Sequence, residues 1–77
     1  MKRPICTIAR EITQVWKKPS IYAKPYLDVM LGLYEPTDMY ICDRADDIVL
    51  RFLSNASSFR GEDARRLKQE LKDLING

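Results

Sequence analysis

The sequence predicts an all-α fold, a compact single-domain bundle of about four short helices over residues 1–77. Apolar residues recur every three or four positions in four separate segments, and this spacing places them on one face of a helix. No segment alternates apolar and polar residues as a half-buried strand does. No internal repeat or low-complexity linker divides the 77 residues. A chain of this length is expected to form one domain with a small core.

The first helix is predicted from Thr7 to Lys18. Its inward stripe consists of Ile8, Ile12, Val15 and Trp16. Thr7 is the expected N-cap, because its hydroxyl can accept from an unpaired backbone N–H group in the first turn. Pro19 ends the helix, because proline disfavours helical geometry in the preceding residue and has no N–H to donate.

The second helix is predicted within the segment SIYAKPYLDVMLGLYEP, which begins at Ser20. Its inward positions are Ala23, Leu27, Met30, Leu31 and Tyr34, and Tyr22, Tyr26 and Leu33 widen the apolar arc. Pro25 is tolerated if it lies in the first turn, where its missing N–H would have no intrahelical partner. A turn is predicted over residues 35–38, so that the chain reverses.

The third segment has the most regular spacing and is predicted to be the central helix. Its apolar arc comprises Ile41, Ala45, Ile48, Val49, Phe52, Leu53 and Ala56. Asp43, followed by Asp46 and Asp47, suits the start of the helix, because carboxylates accept from free N–H groups and complement the positive end of the dipole. The same carboxylates share a helix face that can bind a hard cation, but helix capping explains them better. Serines and an asparagine over residues 54–58 favour the end of this helix.

The fourth helix is predicted from about Gly61 to Asn76. Ala64, Leu67, Leu71, Leu74 and Ile75 form its inner stripe. Its outer surface is charged, and Glu62 and Arg66 have the spacing of an acid-to-base pair one turn apart. We expect the third and fourth helices to form an antiparallel hairpin.

The net charge of +2 is unevenly distributed. Residues 1–24 carry six basic groups and one acidic group, residues 25–50 carry one basic and six acidic groups, and residues 51–77 carry six basic and four acidic groups. Such asymmetry favours either an anionic partner or packing between segments of opposite charge, and the second explanation is preferred.

Several classes of function are disfavoured by what the sequence lacks. Apolar runs are far shorter than the roughly 20 residues of a membrane span, and the first residues lack the apolar block of a signal peptide, so we expect a cytoplasmic protein without membrane contact. Cys6 and Cys42 have no paired spacing and are expected to be packing residues, with a disulfide as the less favoured alternative. Histidine is absent, and no nucleotide-binding or hydrolase motif is present. We therefore expect no enzymatic activity, no cofactor and no metal site.

Two groups of basic residues are candidates for binding nucleic acid. They are Arg10, Lys17 and Lys18 beside Trp16, and Arg60, Arg65, Arg66, Lys68 and Lys72 around the last helix. Basic groups next to an aromatic ring can bind phosphate and stack on a base. Trp16 lies on the apolar stripe, however, and is predicted to be a core residue, while Phe59 is expected to fill the corner before the last helix. Nucleic-acid binding is therefore the alternative hypothesis.

A protein–protein interaction module is the preferred hypothesis. Tyr22, Tyr26, Tyr34 and Tyr40 cannot all bury their rings in so small a core, and exposed aromatic rings often anchor interfaces. Tyr22 and Tyr26 join Lys17, Lys18, Arg60 and Arg65 as candidate partner-binding residues. Packing of the tyrosines against each other around the second helix explains them equally well, and self-association is a third possibility.

Two stretches carry a resemblance to a known group of proteins. PYLDVMLGL and the later DMYICDRADDIVLRFLSNASSFRGEDARRLKQELK resemble short uncharacterised proteins of gut bacteria, their phages and integrated mobile elements. The resemblance covers about Trp16 to Leu74, and its most specific element is FL-x-NAS-x-x-RGE-x-AR, from Phe52 to Arg65. It implies a small helical accessory protein of a mobile element. Together with the small size and the absence of catalytic groups, it favours a module that modulates a host or element-encoded complex, for example a defence system.

Overall fold

Within residues 2–76, four helices and one two-stranded hairpin follow each other: α1 (Ile5–Val15), α2 (Lys24–Met30), β1 (Met39–Tyr40), β2 (Asp43–Arg44), α3 (Ala45–Ser54) and α4 (Glu62–Asn76). The computed structural model describes residues 2–76. The prediction of a compact, mostly helical fold with four helices is confirmed. The prediction of a purely all-α bundle is wrong, because the antiparallel pair β1–β2 lies between α2 and α3.

Helix α1 begins at Ile5, two residues before the predicted cap Thr7. The Ile5 N–H donates to the Tyr34 carbonyl at 3.0 Å. The Cys6 N–H donates to the Leu33 carbonyl at 2.8 Å. The chain that follows α2 therefore supplies acceptors for the first N–H groups of α1, and no side-chain cap is formed.

Helix α2 is shorter than predicted, because the chain turns immediately after Met30. Pro25 lies in its first turn, as predicted. The N–H of Leu33 donates to the Met30 carbonyl at 3.1 Å within this turn, and Leu33 remains buried. Leu31 and Tyr34, predicted as inward positions, are exposed, because the helical spacing no longer applies beyond Met30.

The predicted turn at residues 35–38 is confirmed and is held by Asp38. One oxygen of its carboxylate accepts from the backbone N–H groups of Tyr34 and Glu35, both at 2.9 Å. The chain then enters the hairpin, in which Met39 lies opposite Arg44 and Tyr40 lies opposite Asp43.

Helix α3 begins at Ala45, so the predicted start at Asp43 is wrong. Asp43 belongs to β2 instead. The Ala45 N–H donates to the Asp38 carbonyl at 2.7 Å, and the next N–H, of Asp46, donates to the Pro36 carbonyl at 3.0 Å. Backbone acceptors from the segment before the hairpin therefore replace a carboxylate cap. The predicted acidic first turn, with Asp46 and Asp47, is confirmed.

The core forms where α2 packs against α3 and α1 packs against α4. Its buried apolar residues are Ile5, Ile8, Ala9, Ile12, Trp16, Ala23, Leu27, Met30, Leu33, Ala45, Ile48, Val49, Phe52, Ala56, Phe59, Ala64, Leu67 and Leu71. The radius of gyration of 11.1 Å is close to the value of about 11.5 Å expected for a folded domain of this length.

The two cysteines are unpaired. Cys6 is partly buried on α1, whereas Cys42 is exposed at the turn of the hairpin. The predicted packing role is therefore wrong for Cys42, which lies outside the core because α3 starts three residues after it.

Candidate binding surfaces

The end of α1 and the connection between α3 and α4 meet at two aromatic rings. Trp16 and Phe59 are stacked, with ring centroids 4.8 Å apart and planes inclined by 16°. The edge of Trp16 also meets Phe52, with centroids 6.2 Å apart. All three rings are buried, so the predictions of Trp16 as a core residue and of Phe59 as the filling of the corner are confirmed. Neither ring is free to stack on a nucleic-acid base.

Basic side chains gather beside this aromatic corner. The name basic edge is used here for Arg60, Arg65, Lys68 and Lys72. An open depression of about 310 Å³ lies at its centre and is lined by Phe59, Arg60, Gly61, Ala64, Arg65 and Lys68. Lys68 Nζ donates to the Phe59 carbonyl at 2.6 Å and lies 5.6 Å from the centroid of the Phe59 ring. Arg60 Nε donates to the Ser57 carbonyl at 3.3 Å.

The charge of the basic edge is uncompensated. Within residues 2–76, none of its four side chains forms an ion pair with a carboxylate. Partial burial lowers the pKa of the Lys68 ammonium, and the positive charges of Lys72 and Arg60 lower it further. The two candidates Arg60 and Arg65 are brought together at this depression, which Lys68 also lines as a third cation.

The opposite side of α4 carries a compensated set of charges, named here the α1–α4 seam: Arg3, Glu11, Asp63, Arg66 and Glu70. Arg3 pairs with Glu70 at 2.6 Å and with Glu11 at 2.9 Å. Arg66 donates to Glu11 and also pairs with Asp63 at 3.3 Å. The predicted pair of Glu62 with Arg66 is wrong, because Arg66 reaches across to α1 instead.

Reciprocal pKa changes accompany the pairing in the seam. Hydrogen bonds from Arg66 and then from Arg3 lower the pKa of the Glu11 carboxyl below its usual value of 4.5. The same contacts raise the pKa of the Arg66 guanidinium, and hydrogen bonds to Glu70 and Glu11 raise that of Arg3. These cations are already neutralised and are poor candidates for binding an external anion.

Lys17 and Lys18 lie in the bend between α1 and α2 and are exposed. Because they follow Trp16 directly, the stacking on Phe59 places their backbone at the end of the molecule that also carries Arg60. Neither lysine lines the depression at the centre of the basic edge. Arg10 is separate from this group and borders a depression shared with Arg3 and Glu11 of the seam.

The tyrosines do not form a cluster of their own. Tyr26 packs partly buried against the core, while Tyr22 is 68% exposed and Tyr34 and Tyr40 are also exposed. The prediction that the four rings cannot all be buried is confirmed. In the part of the chain that the structure describes, the only close aromatic pairs are those of Trp16 with Phe52 and Phe59, so packing of the tyrosines against each other is not observed.

The hairpin presents an apolar surface that the sequence analysis missed. Met39, Tyr40 and Ile41, named here the apolar tip, are exposed to 58%, 44% and 81%. Ile41 was expected on the inner stripe of α3, but it occupies the first position of the two-residue hairpin turn. The available signal was the run of four apolar residues, MYIC, between two aspartates, which lacks helical spacing.

Ile41 also has an unfavourable backbone conformation, with φ of 59°. Left-handed geometry costs an L-residue roughly 1–2 kcal/mol, and it is rare for a β-branched side chain. Glycine is the usual residue at the first central position of a tight hairpin turn with this geometry.

Comparison with protein-family models, curated proteins and solved structures gives no match for this chain. The resemblance to mobile-element proteins therefore stays a prediction. None of the helices within residues 2–76 has the length and apolarity needed to cross a bilayer. The described residues also bring no three His, Cys, Asp or Glu side chains together in an arrangement suited to a metal ion.

Proposed function

We propose that this chain is a small non-enzymatic protein-binding module and that the apolar tip contacts the partner protein. The observation that carries the proposal is the exposure of Ile41 in a left-handed conformation. Exposed apolar surface forgoes about 25 cal/mol per Å² that burial would provide. The backbone strain adds to this cost, and neither feature contributes to the core. Burial of the tip in a partner's groove would recover the apolar contribution.

Charge around the tip favours a particular kind of partner. Asp43 lies opposite Tyr40 in the hairpin, and Asp47 is exposed in the first turn of α3. Neither carboxylate forms an ion pair among the residues that the structure describes. An apolar groove with basic residues at its rim would complement both features.

The biological setting proposed for this module is a bacterial cytoplasm. The resemblance to proteins of phages and mobile elements supports a partner in a host or element-encoded complex, such as a defence system. Self-association through the tip is the alternative to binding a different protein, and it is tested by sedimentation. If sedimentation shows that the wild type is a dimer and that Ile41→Asn is a monomer, the partner is a second copy of the chain rather than a different protein.

The test uses an isoleucine pair matched in side chain and exposure. Ile41→Asn removes the apolar side chain from the tip, and asparagine tolerates left-handed geometry. Ile21→Asn makes the same substitution at a 78% exposed position between α1 and α2. Each variant and the wild type are used as bait in host cytosol treated with nuclease. We expect one stoichiometric protein to be recovered by the wild type and by Ile21→Asn, but not by Ile41→Asn.

The matched pair also separates the tip from the tyrosine candidates. Loss of the partner with Ile21→Asn and its retention with Ile41→Asn would move the contact to the surface around Tyr22 and Tyr26. Retention by both variants would contradict both surfaces. Stability must be measured in parallel, and we expect Ile41→Asn to unfold at a higher urea concentration because it relieves roughly 1 kcal/mol of strain.

Nucleic-acid binding is the second candidate function, and the uncompensated charge of the basic edge supports it. Phosphate contacts should weaken steeply as salt concentration rises. An electrophoretic shift at low salt that disappears at higher salt would favour this candidate. Absence of a shift at low salt would remove it.

A further inference from the structure

The basic edge has the geometry of a row. Arg65, Lys68 and Lys72 follow each other at intervals of three and four residues on α4, so they share one face of the helix. With a rise of 1.5 Å per residue, their backbone positions span about 10 Å along the helix axis. Arg60 precedes the start of α4 at Glu62 and borders the same depression as Arg65 and Lys68.

The surface above this row is open to a ligand. Gly61 has φ of 110°, and a Cβ atom placed on it would meet no atom within 4 Å. The depression is therefore bordered by three cationic side chains and by a glycine that adds no side chain to fill it. Arginine in particular suits phosphate, because its planar guanidinium can donate two parallel hydrogen bonds.

A repeating anion fits the row better than a single one. One strand of B-form DNA carries a phosphate every 3.4 Å along the axis, so a row of about 10 Å can face two or three consecutive phosphates. A lone phosphate group would engage the depression and leave Lys72 unused. An acidic protein segment lacks this regular spacing.

The aromatic side chains beside the row determine whether this surface can bind nucleotide bases by stacking. Trp16 and Phe59 are buried against each other and present no ring to a base. The basic edge itself contains only arginine and lysine side chains, and an exposed base-stacking platform is absent from it. Single strands are usually bound through such stacking, so its absence favours a duplex. Contacts of the row with phosphate groups carry no sequence information by direct readout.

We propose that Arg60, Arg65, Lys68 and Lys72 bind the phosphate backbone of duplex nucleic acid without sequence preference. This inference rests on nucleic-acid binding as the second candidate function. With Arg60 added to the row, three to four neutralised phosphates predict that log K falls with log salt with a slope of about −3. Between 50 and 200 mM salt the affinity should fall by roughly two orders of magnitude.

The experiment measures fluorescence anisotropy with two duplexes of unrelated sequence over a series of salt concentrations. Arg65→Gln/Lys68→Gln removes two charges from the edge and should flatten the slope by about 2. The control Lys24→Gln/Arg51→Gln removes the same charge from exposed residues of α2 and α3 and should keep the wild-type slope. Thermal unfolding verifies that both double variants are folded.

Each outcome has a separate meaning. A flattened slope in the edge variant alone, with both duplexes bound equally, supports the proposal. Equal slopes in the edge variant and the control would overturn the basic edge as the site and leave nucleic-acid binding standing elsewhere. A preference of more than about tenfold for one duplex would overturn backbone-only recognition. No binding by the wild type at low salt would overturn both this inference and the candidate function.

Discussion

Arg65 and Arg66 are neighbours in the sequence, yet they belong to two surfaces of α4 with different physical roles. Arg66 reaches across to α1 and joins the α1–α4 seam, where Glu11 and Asp63 neutralise it. Arg65 lies on the basic edge, beside Lys68 and without an ion-pair partner among the described residues. The comparison shows that position relative to a neighbouring helix, rather than residue type, separates a structural charge from a charge available to a ligand.

The largest expected effect on stability comes from removing the Phe59 ring, which lies beside Lys68 of the basic edge. Phe59→Ala should lower the free energy of unfolding by about 3–5 kcal/mol, because it leaves a cavity against Trp16 and removes the ring beneath Lys68. The measurement is urea unfolding followed by circular dichroism. Tyr22→Ala, which removes an exposed ring, should stay within about 0.5 kcal/mol of the wild type. A loss below about 1 kcal/mol for Phe59→Ala would contradict the buried corner.

A smaller effect should distinguish the two charged surfaces directly. Arg3→Gln removes two ion pairs from the seam and should destabilise the protein by about 1 kcal/mol, whereas Arg65→Gln should change stability by less than about 0.5 kcal/mol. Added salt should reduce the difference in stability between the two variants, because it screens the ion pairs of the seam. Equal losses in the two variants at low salt would remove the distinction between seam and edge.

Local spacing was sufficient to predict most of the helical core. The positions of Ile12, Leu27, Phe52 and Leu67 follow from apolar residues repeating at helical intervals, and each is buried. Such features depend on a few adjacent positions and can be derived without knowing the rest of the fold. The predicted end of the first helix at Pro19 is wrong, because α1 ends at Val15 and Trp16 already has an extended backbone.

Features that depend on contacts between distant segments were not predicted. The Ala45 N–H finds its acceptor at Asp38, across the hairpin, and this contact moves the start of α3 past Ile41. The Ile5 N–H similarly finds its acceptor at Tyr34. Once backbone carbonyls from elsewhere complete a helix start, capping preferences no longer locate it.

The candidate surfaces likewise combine features that the local sequence predicts with features that depend on contacts between distant segments. Arg60 and Arg65 were identified from the sequence as basic residues around the last helix. The separation of Arg65 from Arg66 required the position of Glu11 on α1, which no local pattern contains.

Acid should weaken the seam through Glu11. Its pKa is lowered in the folded protein, so its contribution to stability is present above the usual value of 4.5 and is lost as the pH falls below that value towards the folded pKa. Glu11→Gln should therefore lose less stability on acidification than the wild type. Urea midpoints measured at neutral and acidic pH test this. An unchanged acid dependence in Glu11→Gln would show that Arg66 and Arg3 do not hold this carboxylate in solution.

The smallest effect concerns the ammonium group of Lys68, and it tests whether the basic edge is uncompensated in solution. Burial together with the charges of Lys72 and Arg60 should hold the pKa of Lys68 below the usual 10.5. Lys72→Gln removes one of these charges and should raise the pKa of Lys68, whereas Lys24→Gln, on another helix, should leave it unchanged. The side-chain nitrogen shift of Lys68, followed by nuclear magnetic resonance during a pH titration, measures both changes. If Lys72→Gln had no effect, the two ammonium groups would be too far apart or too well screened to act together on one phosphate strand. A rise would instead show that the row of charges exists in the free protein, where a bound polyanion would offset its repulsion.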